Sequence, residues 1–397
     1  MRILVISNLF PPHVLGGCEL LCGQVCELLA AQGHEITVLT SDHETAGDER
    51  GAFPVLRRLG LVQRFGEPGR LLRGRRLRVG RASARTTRQV IAAVRPELIF
   101  VWNLLRLTVA PARAAQASGL PVVYSFNDEN VASYLPVPFA PSARRLAGFL
   151  LDRTLLSGGT LRGLDLSWST CVSAQLKSKL LARGVAAGEA RVIYQGIPIE
   201  QFPAREPRAA GRPARALYAG QLVESKGIPT LVDAAHAVAR ADPGALEVTI
   251  AGGGPLEEAL RARATQGPAP IRFAGRLPHA QLPALYRAHD VLVFPSSGPE
   301  AFGLSHLEAM ASGTPVISTA TGGQGEFLRD GENALVFAPG DVQGLAARLR
   351  QLAADPALAV RLSLAGRALV ERDFTLQRYA ASLEGLLREA LRAHVSI

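Results

Sequence analysis

The stretch VLVFPSSGPEAFGLSHLEAMASGTPVISTATGGQGE, Val291 to Glu326, holds the pattern from which the rest of the chain can be read. The apolar run Val291–Phe294 stops at Pro295, Ser296, Ser297, Gly298 and Pro299, as a buried strand running into a loop does. From about Gly303 to Ser312 the spacing becomes helical, with Leu304, Leu307 and Ala311 on one side and Gly313 as the stop signal. A second strand-like run, Pro315–Thr319, closes at Gly322 and Gly323. Glu300 and Glu308 bracket the helix start. A helix beginning at Glu300 would set the two carboxylates roughly 12 Å apart along its axis. Carboxylates accept from vicinal hydroxyls, and a glycine-bearing helix N-terminus attracts anions, so the layout suits a polyhydroxylated anionic ligand. The competing reading makes Glu300 a helix cap and Glu308 a solvated side chain, although Leu307, Ala309 and Met310 speak against an open face at Glu308.

Outward from this stretch, strands and helices alternate through the whole chain. Arg2–Ser7 reads as a strand, Cys18–Gln32 as a helix ended by Gly33, and Glu35–Thr40 as a second strand. That βαβ unit implies a parallel sheet. Helices near Thr86–Val94 and Thr108–Ser118 and strands Glu97–Trp102 and Pro121–Phe126 continue it. A helix around Ala143–Leu156, strand Leu164–Ser169, helix Ser173–Ala182 and short strand Ala190–Tyr194 complete the first series. Ile197–Pro213 holds four prolines and little periodicity. A second series follows: strand Ala214–Ala219, helix Gly227–Arg240, strand Glu247–Ala251, helix Pro255–Ala264, strand Ile271–Ala274 and helix Pro278–Ala288. Helices near Asp341–Ala354, Pro356–Glu371 and Leu376–Ala393 end the chain.

The expected fold is α/β, with two tandem Rossmann-like, doubly wound parallel-sheet domains facing across a cleft. The first takes residues 1–198, the linker 199–213 and the second 214–375, and the C-terminal helix, 376–397, is expected to pack back on the first. Open α/β sheets bind ligands outside the carboxyl ends of their strands, which places the expected site between the domains.

The 397 residues suffice for two cores, and 48% apolar against 20% charged residues mark a globular chain. No apolar run reaches the roughly 18 residues of a membrane span. Met1–Ser7 is too short and too strand-like for a signal peptide, so a cytoplasmic protein is expected. Cys18, Cys22 and Cys26 recur every four residues on one helix face. Small core-facing residues and a metal site both fit that face, but zinc prefers other spacings and a completed tetrahedral set. Neither a metal nor a disulfide is expected. The net charge of +10 is concentrated, with eleven arginines and one acidic residue, Glu67, from Arg57 to Arg88. Such a stripe fits an anionic membrane surface or an acidic lipid-linked acceptor, and equally a solvated face in an arginine-rich chain. Nucleic acid is disfavoured, because the stripe lacks interleaved aromatics and no recognised binding module is present.

Three glycine-bearing turns follow expected strands: Gly16-Gly17, Gly252-Gly253-Gly254 and Gly303. Glycine lets a backbone approach a phosphate closely, while free N–H groups and the helix dipole favour its charge. A tight strand-to-helix turn wants glycine for its own sake, so each turn alone decides little. A nicotinamide site is disfavoured, since no G-x-G-x-x-G follows either domain's first strand. Lys226 is one of three lysines among 44 basic residues, the others being Lys177 and Lys179. Lysine where arginine is the habit fits a point charge set against a diphosphate; the alternative is a surface lysine.

EAFGLSHLE, Glu300 to Glu308, with the AMASGTPVI that follows, resembles the E-x7-E signature of glycosyltransferase family 4, retaining transferases of the two-Rossmann-domain GT-B architecture. The resemblance covers most of the chain. It extends to Phe10–Glu19, Gly33-His34, Ala219–Gly227, Ala251–Leu256, Phe273–Gly275 and Gly322–Glu326, in order and at the usual spacing. It implies that Glu300 contacts the hydroxyls of a donor sugar and Glu308 the ribose. The backbone of Ala301, Phe302, Gly303 and Leu304 would hold the sugar and diphosphate, with Gly220, Gln221, Gly253 and Gly254 beside them. Lys226 would neutralise the leaving diphosphate, Gly16 and Gly17 would close over it, and Phe273, Gly275 and Arg276 would border the base. The donor is then a UDP- or GDP-linked sugar, with no cofactor, and the absence of any D-x-D agrees with metal-independent chemistry. Catalysis of this kind is positioning plus stabilisation of departing charge.

Two positions depart from the family pattern. Gln221 stands where arginine is usual, and Arg276 is the candidate for the missing charge. Asn127, in VVYSFND, Val122 to Asp128, replaces a histidine that touches the donor sugar; asparagine hydrogen-bonds but takes no proton. The leading expectation is a transferase acting on a hydroxyl acceptor in envelope, exopolysaccharide or glycolipid synthesis, peripheral on a membrane in one variant. The alternative is a degenerate nucleotide-sugar-binding protein with little turnover. An epimerase or phosphorylase on the same plan is disfavoured by the E-x7-E helix.

Overall fold

The computed structural model describes residues 1–45, 47–65, 73–135, 160–208 and 214–395. Its strands are β1 (Arg2–Ile6), β2 (Glu35–Ser41), β3 (Gly47–Arg50), β4 (Pro54–Leu59), β5 (Leu98–Val101), β6 (Val122–Phe126) and β7 (Ser169–Cys171). They continue with β8 (Arg191–Val192), β9 (Ala214–Ala219), β10 (Leu246–Ala251), β11 (Ile271–Gly275), β12 (Val291–Phe294), β13 (Val316–Ser318) and β14 (Leu335–Val336). The strand orders of the two sheets are β3-β4-β2-β1-β5-β6-β7-β8 and β11-β10-β9-β12-β13-β14. Every pairing is parallel except that of β3 with β4. Contacts divide the chain into two compact units, Met1–Ile193 with Tyr379–Ile397, and Tyr194–Arg378.

Helices cover both faces of such sheets, so the strands are apolar runs rather than alternating ones. LIFV of β5, VVYSF of β6 and VLVF of β12 are buried throughout. In the second unit Tyr218, Val248, Ile250, Val291, Val293 and Ile317 of the sheet pack with Ile228, Leu231, Val232, Leu345, Leu349 and Leu362 of the helices. At about 25 cal/mol per Å² of apolar surface, this burial is the main force holding the sheet flanked.

Several elements differ from the sequence reading. The helix expected near Thr86–Val94 runs from Arg73 to Val94. Arginine is a good helix former, but the inward residues Ser83, Thr87 and Val90 include two hydroxyls, with Thr87 Oγ donating to the Ser83 carbonyl at 2.8 Å. Little apolar periodicity therefore marks the element. The β3–β4 hairpin was not expected, because its strands are charged. Arg57 pairs there with Glu49 at 2.7 Å and donates to the carbonyls of Phe10 and Pro11, which leaves it 2% exposed. Arg58 pairs with Asp48. Arg57 is thus no part of a surface stripe. The strand expected at Leu164–Ser169 starts only at Ser169, since the Asp165 carboxylate accepts from the Ser167 N–H at 2.9 Å and folds the chain into a turn first. The helix expected around Ala143–Leu156 lies outside the described residues.

The proline-bearing stretch read as a linker is structured over 199–208 and belongs to the second unit. Ile199–Gln201 forms a single tight turn and Phe202 is fully buried. Arg205 donates to the carbonyls of Gly313 and His289 and, with Arg208 and Arg215, surrounds the buried carboxylate of Asp290. The unit boundary falls at Ile193/Tyr194, earlier than the expected 198/199. The C-terminal helix spans Leu376–Val395, and from Tyr379 onward it is part of the first unit. Its Leu383, Leu386, Leu387 and Ala390 are buried there, and Glu384 meets His34 at 2.9 Å. Among the described residues no helix is long and apolar enough to cross a membrane.

Candidate functional site

In the second unit the strand order turns at the β9–β12 pair, and ligand crevices of open α/β sheets form at such points. The turn after β9 (Glu224–Lys226) passes through Gly227, at φ +61°, into the helix Ile228–Ala241. A Cβ on Gly227 would lie 2.0 Å from the Pro295 carbonyl oxygen, so only glycine lets this turn touch the loop after β12. That approach brings Lys226 to Glu300. Nζ donates to Oε1 at 2.8 Å and to Oε2 at 2.7 Å, and the Ser296 hydroxyl donates to Oε1 at 2.6 Å. Nζ also lies 5.0 Å from the centre of the Phe294 ring, a cation–π contact. Glu300 therefore holds the ammonium and caps no helix.

The helix that follows spans Leu304–Ala311, with Gly303 at φ +109° before it. His306 fixes that turn from inside the helix. Its Nδ1 is 3.2 Å from the Gly303 carbonyl oxygen and its Nε2 is 2.9 Å from the Ser318 hydroxyl. A carbonyl only accepts, so Nδ1 carries the proton and Nε2 accepts from Ser318. Complete burial lowers the imidazole to about 4 and keeps it neutral. Two residues on, Glu308 is buried, 5% exposed, between His279 Nε2 at 2.9 Å and the Tyr286 hydroxyl at 2.8 Å. The bond to Glu308 raises the His279 pKa despite desolvation, while burial pushes the Tyr286 phenol well up and keeps it a donor. The solvated alternative for Glu308 is excluded. Each of its oxygens retains acceptor capacity for a further hydroxyl.

The loops after β9, β10 and β11 are stitched together. Gly220 N–H donates to the Ala251 carbonyl, Leu222 N–H to Gly253 and Gly252 N–H to Gly275, at 3.0, 3.1 and 2.8 Å. A Cβ on Gly252 would fall 1.8 Å from the Gly220 carbonyl oxygen, whereas on Gly253 it would meet nothing nearer than Arg276 Cβ at 3.8 Å. Gln221 and Arg276 are both exposed at this edge. The Phe273 ring carries the Arg261 guanidinium at 4.5 Å.

In the first unit the corresponding point is the β1–β5 pair. Gly16 N–H donates to the Glu19 carboxylate at 3.0 Å, and Gly17 opens the helix Gly17–Ala31. Trp102 links this turn to Asn127, its Nε1 donating to the Cys18 carbonyl at 3.2 Å while its own carbonyl accepts from Asn127 Nδ2 at 2.9 Å. All four cysteines are free, with Cys22 and Cys26 buried.

The structure thus joins Lys226, Glu300 and the Ala301–Leu304 backbone in one unit, and Gly16, Gly17 and Asn127 in the other. Sequence reasoning missed Ser296, His279, Tyr286 and His306. Two of them lie inside the opening stretch, where a polar His306 beside Leu307 was the available signal. Tyr286 and His279 reach Glu308 from 22 and 29 residues away, and no local pattern encodes that. Tyr194 and Phe374 were also missed. They pack on Phe302, with ring centres 5.8 Å away in both cases, and Phe327 closes the cluster at 5.5 Å.

Two doubly wound α/β units in tandem are the GT-B architecture of glycosyltransferases. The model of the family "Glyco_transf_4: Glycosyltransferase Family 4" matches residues 15–201, and "Glycosyl transferases group 1" matches residues 201–369. The chain is 32% identical to a glycogen synthase of Mycobacterium tuberculosis over 96% of its own length and 93% of that protein's. It is 28% identical, over 98% of both chains, to a GDP-mannose-dependent alpha-(1-6)-phosphatidylinositol monomannoside mannosyltransferase of the same organism. Among solved structures, sucrose-phosphate synthase from Thermosynechococcus elongatus superposes with a TM-score of 0.73 over 99% of both chains, at 23% identity. The chain belongs to glycosyltransferase family 4 and is a glycosyltransferase using a nucleotide sugar.

Proposed function

We propose that this chain is a retaining, metal-independent transferase that moves a hexose-like group from a nucleoside-diphosphate sugar to a hydroxyl acceptor. The observation that carries the reading is the Lys226–Glu300 pair at the β9–β12 turn, set against the glycine-opened N-terminus of the helix Leu304–Ala311. In this reading the diphosphate lies at the N–H end of that helix start, and Lys226 meets its growing negative charge. Glu300 then turns to the sugar hydroxyls and Glu308 to the ribose, with His279 and Tyr286 fixing the second carboxylate's rotamer. Phe273, Gly275 and Arg276 border the base. The departing phosphate helps to remove the acceptor's proton on the face it leaves, so configuration is retained and no protein nucleophile is needed.

The exposed arginines of the helix Arg73–Val94 support an anionic, lipid-linked acceptor, as in envelope, exopolysaccharide or glycolipid synthesis. One observation favours a second reading, a nucleotide-sugar-binding protein with little turnover: the Asn127 amide, at the histidine position, donates to the Trp102 carbonyl. Nucleoside diphosphate release from a panel of UDP- and GDP-sugars decides between them. Saturable binding without release would leave only the second. Lys226→Ala and Glu308→Gln should each lower nucleoside diphosphate affinity about 10- to 100-fold, as loss of a charge-assisted bond does. Unchanged affinity in both would sink the assignment of the donor half.

A further inference from the structure

Gln324, in the Val291–Glu326 stretch, is a buried polar residue outside the Lys226, Glu300 and Glu308 assignments. It lies in the turn Gly323–Glu326 after β13 and is 0% exposed. Its backbone is engaged, the carbonyl accepting from the N–H groups of Phe327 at 3.2 Å and Leu328 at 2.9 Å. Its side chain is not. Neither Oε1 nor Nε2 has a hydrogen-bond partner among the described residues.

The side chain packs against the loop that carries Glu300. A Cβ on Gly322 would meet Gln324 Oε1 at 2.7 Å and the Glu300 backbone oxygen and nitrogen at 2.1 and 2.4 Å. A Cβ on Gly303 would lie 3.3 Å from Gln324 Cβ. The carboxamide therefore sits in the knot of backbone formed by Glu300, Gly303 and Gly322. Gly323 N–H closes this knot by donating to the Glu300 carbonyl at 2.8 Å. A buried amide without partners loses the hydration of one acceptor and two donors. Leucine or methionine would fill the same space without that penalty. A glutamine kept there asks for a partner that arrives with the ligand.

We propose that Gln324 is a specificity-determining residue for the donor sugar, its carboxamide pairing with a hydroxyl or acylamino group of the sugar carried on the nucleoside diphosphate. An amide both donates and accepts, which matches a hydroxyl or an acylamino group and gives nothing to a deoxy position. The assignment rests on the reading of Glu300–Leu304 as the donor cradle. It assigns to Gln324 discrimination among sugars, separate from the holding of the diphosphate.

Isothermal titration of the full chain tests it, with UDP, GDP and the nucleotide sugars that the release panel identifies. Gln324→Leu and the unbranched Gln324→Met are compared with the unaltered chain. Both should keep nucleoside diphosphate affinity within about twofold and lose about tenfold or more for the nucleotide sugar, a difference of about 1.4 kcal/mol. In the ligand-free state their thermal midpoints should stay level or rise by about 2–4 °C, because the buried orphan is gone. Unchanged nucleotide-sugar affinity in whichever variant folds overturns the proposal. Equal losses for the diphosphate and its sugar also overturn it, since Gln324 would then only shape the backbone. Lys226→Ala is the control on the cradle itself. If it leaves diphosphate binding intact, the cradle is misassigned and the proposal falls with it.

Discussion

His306 and His279 lie in the same unit, yet their surroundings drive them in opposite directions. A histidine in the unfolded chain titrates near 6.5. His306 is lowered to about 4 in the fold, because its burial outweighs the pull of the Glu300 carboxylate. Between those values the unfolded chain binds a proton that the folded one refuses, so stability falls as pH drops through the window, by on the order of 3 kcal/mol in all. His279 gains a proton-favouring partner in Glu308, and its folded pKa is raised. Its contribution is complete below about 6.5 and is lost as pH climbs through the raised value. Thermal midpoints measured from pH 4 to 9 should show both effects. His279→Gln should flatten the alkaline limb alone, and His306→Gln the acid limb alone. If either variant kept the slope of the parent, that histidine's assigned surroundings would be wrong.

At the scale of elements, the stitched loops after β9, β10 and β11 separate two uses of glycine. Gly252 stands at φ +153° with no room for a Cβ, whereas Gly253 has ordinary contact distance around it. Gly252→Ala should cost about 3 kcal/mol or more in urea unfolding, through strain and a clash with backbone. Gly253→Ala should change stability by less than about 0.5 kcal/mol and, if a phosphate rests on that turn, should still weaken diphosphate binding. A large stability loss at Gly253 would refute the distinction. Most strands and helices from β9 to β13 were legible because each is an apolar run closed by glycine or proline. The helix Arg73–Val94 was legible only over its last part, Thr86–Val94, since its inward face uses Ser83 and Thr87, and β14, two residues long, carries no pattern of its own. Within the site the signature residues were readable, but the partners that orient them come from other loops. Ser296 and Lys226 meet on Glu300 only because Gly227 lets two loops touch.

For the whole molecule, the division into units decides what the arginine stripe can do. Arg57 is withdrawn into the first unit and Arg58 is paired with Asp48, while Arg75, Arg78, Arg81, Arg85 and Arg88 are exposed on one helix. If that helix meets an anionic surface, each arginine contributes about 1 kcal/mol near it. Reversing Arg78, Arg81 and Arg85 to glutamate should abolish sedimentation with phosphatidylserine-containing liposomes at low salt, and nucleoside diphosphate binding should persist. Unchanged sedimentation would remove the membrane from the account.

The aromatic cluster on Phe302 also bears on how this family can be recombined. Tyr194 is 42% exposed and stands just past the boundary at Ile193, yet its ring stacks on Phe302 and meets Phe374 edge-on, with ring centres 6.0 Å apart. A chimera that borrowed another member's first unit, spliced at the proline-bearing stretch where sequence alone would cut, would import a foreign residue at position 194. It would then alter the support of the Glu300–Leu304 loop while leaving Lys226, Glu300 and Glu308 native. A splice before Tyr194, with Phe374 retained beyond it, keeps the clamp whole, so first units should be exchanged there.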